Sequence, residues 1–369
     1  MPSSPISRLK ILRRILFAGV SLILTVIIAE FVLRGVNPFG MSYYRDTSRY
    51  INEAIALLPA DAITPTSRIF QNRPDVHLAL ETFDFATDNL GLRGPAPGSG
   101  ATANSLSNSD AYRILFLGDS VTLAWGVDDG QSWIRKLERR ALAKDGRPLV
   151  CLNAGHLQYN TTQEADLFRA VGPALQPDAV IVTFITNDVI DYPFEAFTRL
   201  MEQIDAQKSA TGFGAKMDLY QAQLTAWFWA IRGVLEYRRL VGEESEPGAP
   251  TISIGELPGY AENWERCRLG FESILAQASE LGIPLIVLDQ GKPRVPDVQK
   301  WCKDNQVAWY DFGFSDAEWE RGLRVSQADA HANELGNQIQ FEKSKAALID
   351  AGILSDTQVS ALTGLETKR

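Results

Sequence analysis

A serine that could act as a nucleophile lies directly after an apolar run in the second quarter of the chain. The run Ile114–Leu117 is short and uninterrupted, and Gly118-Asp119-Ser120 follows it, a pattern typical of a buried strand that ends in a turn. Ligands of open α/β sheets bind outside the carboxyl ends of the strands, so a serine there can attack a substrate if a base reaches it. The alternative is structural: the serine or the aspartate caps the next helix.

Three later segments place polar groups at comparable positions. They are the apolar run 149–152 that leads to Gly155, the run 179–185 that leads to Asn187, and a polar loop with Asp329 and His331 before a helical pattern. Each group stands at the carboxyl end of an apolar run or in a loop that opens a helix. We therefore expect the fold to bring them together.

The chain has only three histidines, which narrows the choice of a general base. His331 follows all the expected strands and opens the last helix. His77 precedes the core and is interpreted as a surface or packing residue. His156 directly follows Gly155 and is interpreted as a loop histidine bonded to backbone, although lining the substrate cleft or competing as the base stays open.

Together, the four blocks resemble the SGNH (GDSL-type) serine hydrolase superfamily, over roughly residues 112–352. The resemblance implies a nucleophilic Ser120, a general base His331 and an Asp329 that orients the imidazole. It also implies that the backbone N–H groups of Ser120 and Gly155 and the side-chain amide of Asn187 stabilise the oxyanion. The expected reaction is hydrolysis of a carboxylic ester, plausibly an acetyl ester.

Two positions depart from the pattern of the family. Its aspartate often stands three residues before the histidine, whereas Ala328 occupies that position here and Asp329 is only two residues before His331. Ile185 stands two residues before Asn187, where the family often has glycine. Because of these departures, a non-catalytic function in binding polysaccharide is one alternative. A second alternative is an O-acyltransferase that uses the same serine.

Other classes of site lack support in the sequence. No glycine-rich phosphate loop follows a strand, and the three cysteines are too scattered for a zinc site. The formal net charge of −9 disfavours binding to nucleic acid. We expect no cofactor and no metal, and we expect the partners to be an ester-bearing glycan, lipid or small molecule and a membrane.

The N-terminus predicts a single membrane anchor. Residues 1–14 carry a basic cluster (Arg8, Lys10, Arg13 and Arg14), and residues 15–34 are almost continuously apolar. This length approaches the ~20 residues that span a bilayer. Basic residues before the span predict a cytoplasmic N-terminus. With the family resemblance, this predicts a protein of the bacterial inner membrane with a periplasmic catalytic domain. A cleaved signal peptide is the alternative, although no Ala-x-Ala site follows the apolar run.

The remaining chain is predicted to form one catalytic domain with additions. Residues 35–110 are an extension and linker, 111–355 the hydrolase domain, and 356–369 a C-terminal tail. An insertion at 192–260 is either a lid or acyl-chain groove, or a helical pair whose aromatic residues pack onto the domain. Strands that alternate with helices predict a parallel sheet covered on both faces. The expected fold is a three-layer α/β/α sandwich with a flavodoxin-like sheet, taken partly from the resemblance.

Overall fold

The computed structural model describes residues 5–58, 70–94, 110–189, 237, 255 and 259–356. Most of the predicted insertion and nearly all of the predicted tail therefore lie outside the described residues. The helices, in chain order, are α1 (Pro5–Val36), α2 (Ser42–Arg49), α3 (Ser120–Leu123), α4 (Trp133–Arg140), α5 (Thr161–Leu175), α6 (Tyr260–Leu281), α7 (Pro296–Asp304), α8 (Asp316–Trp319) and α9 (Glu334–Asp350). The strands are β1 (Ile55–Leu57), β2 (Phe70–Asn72), β3 (His77–Ala79), β4 (Asp84–Ala86), β5 (Tyr112–Gly118), β6 (Leu149–Asn153), β7 (Ala179–Phe184), β8 (Leu285–Asp289) and β9 (Ala308–Asp311).

The core is a five-stranded parallel sheet in the order β6-β5-β7-β8-β9. Numbered from the first strand of the sheet, this order is 2-1-3-4-5, which is the flavodoxin-like order. The connections leave β5 in opposite directions toward β6 and β7. The crevice of the sheet therefore opens between the carboxyl ends of β5 and β7, where ligands of such folds bind.

Side chains alternate between the two faces of the sheet and bury a separate apolar cluster on each. On β5, Leu115 and Leu117 belong to one cluster, whereas Ile114 and Phe116 belong to the other. Helices α5, α6 and α7 cover the first face, and α4 and α9 cover the second. Such continuous apolar strands are expected where both faces are buried. The predicted three-layer α/β/α fold is confirmed.

Helix α1 is longer than the predicted anchor of residues 15–34. It begins at Pro5 and ends at Val36, and its apolar side chains are exposed, as Phe17 illustrates at 75%. Within the residues that the structure describes, it is the one helix long and apolar enough to cross a membrane, a property that signal sequences near an N-terminus share.

The described residues 37–58 and 70–94 pack directly on the central sheet and its helices. Two antiparallel pairs, β1 with β2 and β3 with β4, lie against them. Rings of this segment enter the first apolar cluster; Tyr50 packs edge-on against Trp125 with 5.3 Å between the ring centroids. The backbone N–H of Arg93 also donates to the Asn153 carbonyl at 2.9 Å, beside the end of β6. This segment therefore reaches the carboxyl edge of the sheet, where the predicted site lies.

Candidate active site

Ser120 begins α3 immediately after β5, and its side chain is 7% exposed. The preceding Asp119 is the N-cap of α3, since its Oδ1 accepts the Val121 N–H at 2.9 Å. Its Oδ2 accepts the Ser120 hydroxyl at 3.3 Å. Both sequence interpretations of this tripeptide therefore coexist: Asp119 caps the helix, and the serine lies at the carboxyl edge of the sheet.

Asp329 and His331 form a close pair despite their short spacing. Asp329 Oδ1 lies 2.5 Å from His331 Nδ1 and also accepts the His331 backbone N–H at 3.0 Å. A tight turn makes this possible, because the Ser326 N–H donates to the Asp329 carbonyl at 3.1 Å and the Ser326 hydroxyl accepts the Asp329 N–H at 3.0 Å. The carboxylate is 1% exposed, so little solvent competes for the imidazole.

Ser120 and His331 line the same small pocket, which has a volume of about 10 Å³. Its other lining residues are Val121, Ala124, Trp125, Ala332, Asn337 and Gln340. Within the described ranges the serine hydroxyl donates to Asp119, not to His331. A proton transfer to the imidazole would require this hydroxyl to exchange Asp119 for His331, and catalytic hydrogen bonds are often absent from unliganded sites.

Gly155 lies after β6, with its backbone against the end of α3. A Cβ at this position would overlap the Leu123 amide nitrogen, so only glycine allows this approach. The Gly155 N–H donates to Asn153 Oδ1 at 3.0 Å. The group that the resemblance assigns to the oxyanion is therefore held by a neighbouring side chain, which a substrate oxygen would have to replace or share.

Asn187 lies after β7 in a 3₁₀ turn, Thr186–Asp188. Its Nδ2 donates to Asp119 Oδ2 at 3.0 Å. Because an amide nitrogen carries two hydrogens, one remains for a substrate oxygen. The structure thus brings Ser120 and Asn187 onto one carboxylate at the crevice between β5 and β7, and Ile185 in extended backbone does not prevent it.

Buried carboxyl groups lie behind the serine. Burial raises the pKa of Asp119 and raises that of Asp188 and Glu164 well above the ordinary range, and neighbouring carboxylates add to the effect in the latter two. Asp188 accepts a hydrogen bond from the Thr161 hydroxyl at 2.7 Å. Within the described part of the chain, neither carboxylate oxygen of Glu164 has a hydrogen-bond partner. Such an environment favours the protonated acids.

Arg93 is a residue of the site that the sequence reasoning missed. Its side chain is fully buried, and its guanidinium donates to the carbonyl oxygens of Leu123, Ala124 and Val127, at the end of α3 and just beyond it. It also lies over the Phe83 ring, 5.5 Å from the centroid. A buried charge is expensive unless it is hydrogen-bonded. Arg93 therefore fixes the helix that carries the serine, from a segment that precedes the core.

The other two histidines, His77 and His156, do not line the serine pocket. His156 is 2% exposed, its Nδ1 lies 2.9 Å from the Ala154 carbonyl oxygen, and its ring stacks on Tyr159 at 4.4 Å. The interpretation as a loop histidine bonded to backbone is confirmed. The His77 side chain is 47% exposed on β3 and lies 4.0 Å from Asp84. Of the three, His331 alone lines the serine pocket.

Comparison with known proteins returns only solved structures of low identity. No protein-family model matches the chain, and no curated protein matches it. A GDSL-like lipase from Bacteroides thetaiotaomicron is 12% identical with a TM-score of 0.35, and the match covers 68% of this chain and 93% of that one. A lipase/acylhydrolase from Enterococcus faecalis is 12% identical with a TM-score of 0.36, and the match covers 67% of this chain and 100% of that one. An acetylxylan esterase from Geobacillus stearothermophilus, solved as a catalytic mutant, is 11% identical with a TM-score of 0.34, and the match covers 64% of this chain and 94% of that one. At such values, function has to be inferred from the residues of this chain.

Proposed function

We propose that this protein is a serine esterase that hydrolyses carboxylic esters through an acyl-enzyme on Ser120. The observation that carries the proposal is the buried Asp329–His331 pair, with 2.5 Å between Oδ1 and Nδ1, on the wall of the pocket that Ser120 also lines. An imidazole held by a buried carboxylate beside a serine is the arrangement that activates a hydroxyl nucleophile.

The reaction proceeds in two balanced steps. Ser120 Oγ attacks the ester carbonyl carbon while its proton passes to His331 Nε2, and the alcohol then leaves with that proton. A water molecule, deprotonated by His331, attacks the acyl-enzyme, so that a carboxylic acid departs and the Ser120 hydroxyl is restored. Asp329 stabilises the imidazolium that forms in both steps. The free N–H of the Asn187 amide and the Gly155 N–H are the proposed donors to the oxyanion.

The small pocket favours a short acyl group such as acetyl. Trp125, Ala124 and Ala332 supply apolar surface, and a pocket volume of only about 10 Å³ leaves room for no more than a short acyl group. The alcohol part of the substrate must then lie outside the pocket. An envelope glycan, a lipid or a small molecule are the candidates.

The test is labelling of the full-length protein with a fluorescent fluorophosphonate, followed by peptide mapping. We expect modification at Ser120 that disappears in Ser120→Ala and in His331→Ala, whereas His77→Ala, the exposed histidine, labels like the wild type. Turnover of an acetate ester should likewise be lost in Ser120→Ala and in His331→Ala and be retained in His77→Ala. Full labelling and turnover in His331→Ala would refute the assignment of the base. A folded protein without labelling would favour a non-catalytic binding protein.

An O-acyltransferase is a second candidate, favoured by a groove beside the serine pocket. Gln340 lines the serine pocket, and its Nε2 donates to Gln290 Oε1 at 2.9 Å. Gln290 in turn lines a groove with a volume of about 210 Å³, together with Arg294 and Trp319. An acceptor hydroxyl bound there would compete with water for the acyl-enzyme. Acylated product that depends on an added sugar acceptor would distinguish transfer from hydrolysis.

We also propose that α1 anchors the protein in the inner membrane, with the catalytic domain in the periplasm. The support is the apolar stretch of residues 15–34 within this helix and the basic residues Arg8, Lys10, Arg13 and Arg14 that precede it. A fusion of alkaline phosphatase after the last residue should be active in cells and remain with membranes after carbonate extraction. An inactive fusion would reverse the proposed orientation, and release by carbonate would refute the anchor.

A further inference from the structure

The segment that directly follows α1 packs against the loop that carries the Asp329–His331 pair. After Val36, the chain makes a single 3₁₀ turn, Pro38–Gly40, against the loop that carries Asp329 and His331. The Ala328 N–H donates to the Phe39 carbonyl at 2.9 Å, and the Ser326 hydroxyl lies 3.5 Å from the Gly40 carbonyl oxygen. Ser326 is the residue whose hydroxyl receives the Asp329 N–H. Gly40, four residues after the end of α1, is thus linked through two hydrogen bonds to the backbone N–H of Asp329.

The junction between α1 and the catalytic domain is tied by hydrogen bonds, which a flexible tether would lack. The Asn37 N–H donates to the Leu33 carbonyl at 2.9 Å, which continues the hydrogen bonding of α1. The Asn37 side chain closes the turn onto α2, since its Oδ1 accepts the Ser42 N–H and its Nδ2 donates to the Ser42 hydroxyl, both at 3.0 Å. On α2, the Tyr43 ring then lies 6.3 Å from the His331 ring.

These contacts limit how far the site can lie from the end of the span. Three residues of extended chain reach at most about 10 Å, and this limit applies both from Val36 to Phe39 and from Ala328 to His331. With the short hydrogen bond between the two segments, His331 lies within about 25 Å of the end of α1. Headgroups occupy about 5–8 Å on each side of the hydrocarbon core, so with α1 across the bilayer the site lies at most about 20 Å beyond them.

We propose that Ser120 and His331 act at the membrane surface on an ester carried by an amphiphile of the same bilayer. This inference rests on the proposed esterase activity and on the proposed anchor. A rigid junction holds the site at one height, where the acyl group of an amphiphile can enter the small pocket while its apolar tail stays in the membrane. An enzyme meant to reach distant polymer would gain from a long flexible linker at this position.

The test compares two substrates with the full-length protein in lipid nanodiscs. One is a water-soluble umbelliferyl acetate, and the other is the same acetate with a dialkyl tail that inserts into the bilayer. The variant carries twelve Gly/Ser residues between Val36 and Asn37, which raises the domain by about 20 Å and leaves the contacts of Phe39 and Gly40 in place. We expect the soluble acetate to be hydrolysed at the wild-type rate within about twofold, whereas turnover of the bilayer acetate falls about tenfold.

A second measurement reports the height of the site independently of the substrate. A fluorescent phosphonate on Ser120 should transfer energy efficiently to a short-range acceptor on lipid headgroups in the wild type, and weakly in the linker variant. Equal transfer in both proteins, or equal turnover of the bilayer acetate by both, would overturn the inference. Hydrolysis of only the soluble acetate by the wild type would also overturn it, with the esterase proposal intact. Absence of both labelling and turnover would refute the esterase proposal itself and, with it, this inference.

Discussion

Replacement of Asp329 tests the proposed catalytic pair in a graded way. Its Oδ1 accepts from two donors of His331, the ring Nδ1 at 2.5 Å and the backbone N–H at 3.0 Å. In Asp329→Asn, the amide oxygen should occupy this position, because the amide nitrogen there would face two donors. The imidazole then keeps a neutral hydrogen bond and its orientation, and loses only the negative charge beside it.

The magnitude follows from the difference between charged and neutral hydrogen bonds. A bond to a charged partner contributes about 1.5–3 kcal/mol and a neutral one about 0.5–1.5 kcal/mol. Removal of the charge from a carboxylate that is 1% exposed should therefore raise the barrier by about 1–2 kcal/mol, a loss of roughly 5- to 30-fold in kcat/KM. Asp329→Ala removes the acceptor as well and should lose roughly 10- to 150-fold.

The assay is hydrolysis of a soluble acetate ester, with thermal unfolding to check that each variant is folded. Asp316→Asn serves as the control, since the Asp316 side chain is 89% exposed and pairs only with Lys292 among the described contacts. Equal losses in the Asn and Ala variants would refute the predicted orientation of the amide. Activity of Asp329→Ala within about threefold of the wild type, less than a single charged hydrogen bond provides, would refute the role of Asp329.

Three further predictions concern close contacts and a buried charge. In Gly155→Ala, the new Cβ overlaps the backbone of α3, so we expect kcat for the acetate ester to fall by about 100-fold, since small displacements of a nucleophile are that costly. Gly40 has φ +71° and a Cβ there would overlap Ser326, whereas Gly146 has φ +85° and open space. Gly40→Ala should thus reduce kcat, and Gly146→Ala, with comparable backbone strain, should not. Burial raises the pKa of Glu164, so this carboxyl group destabilises the fold progressively as the pH rises above the ordinary pKa of a glutamate. Glu164→Gln should therefore raise Tm at pH 8, by about 2–4 °C for each kcal/mol of destabilisation removed, and leave Tm unchanged near pH 4. Thermal unfolding measured across this pH range checks the prediction.

The central sheet could be predicted because each of its strands carries an uninterrupted apolar run. Burial on both faces requires such runs, and the turn residues that follow them mark the carboxyl edge. The predicted and observed ends differ by at most two residues, for example 179–185 against Ala179–Phe184. The ends of α1 are less accurately predicted, since the expected span of residues 15–34 lies within a helix that runs from Pro5 to Val36.

The same reasoning placed Ser120, Asn187 and His331 at one edge but left the Asp329 spacing open. Sequence intervals do not reveal that the hydroxyl of Ser326 accepts the Asp329 N–H at 3.0 Å and closes a turn. This turn directs a carboxylate two residues before the histidine onto Nδ1. Spacing alone is therefore a poor guide to such pairs, since the loop conformation decides which side chains meet.

Arg93 and Phe39 illustrate a kind of site residue that single-sequence reasoning does not reach. Motif arguments look for side chains that complement one another, such as an arginine with a carboxylate. The Arg93 guanidinium instead binds three backbone carbonyls near the end of α3, and Phe39 contributes only its own carbonyl to the N–H of Ala328. Every residue has a backbone carbonyl, so the residue types in the sequence do not indicate which carbonyls accept these hydrogen bonds. Because both contacts stabilise elements that carry the proposed catalytic groups, residues 37–58 and 70–94 are a structural part of the site, and an assay of the core without them would test a protein that lacks these contacts.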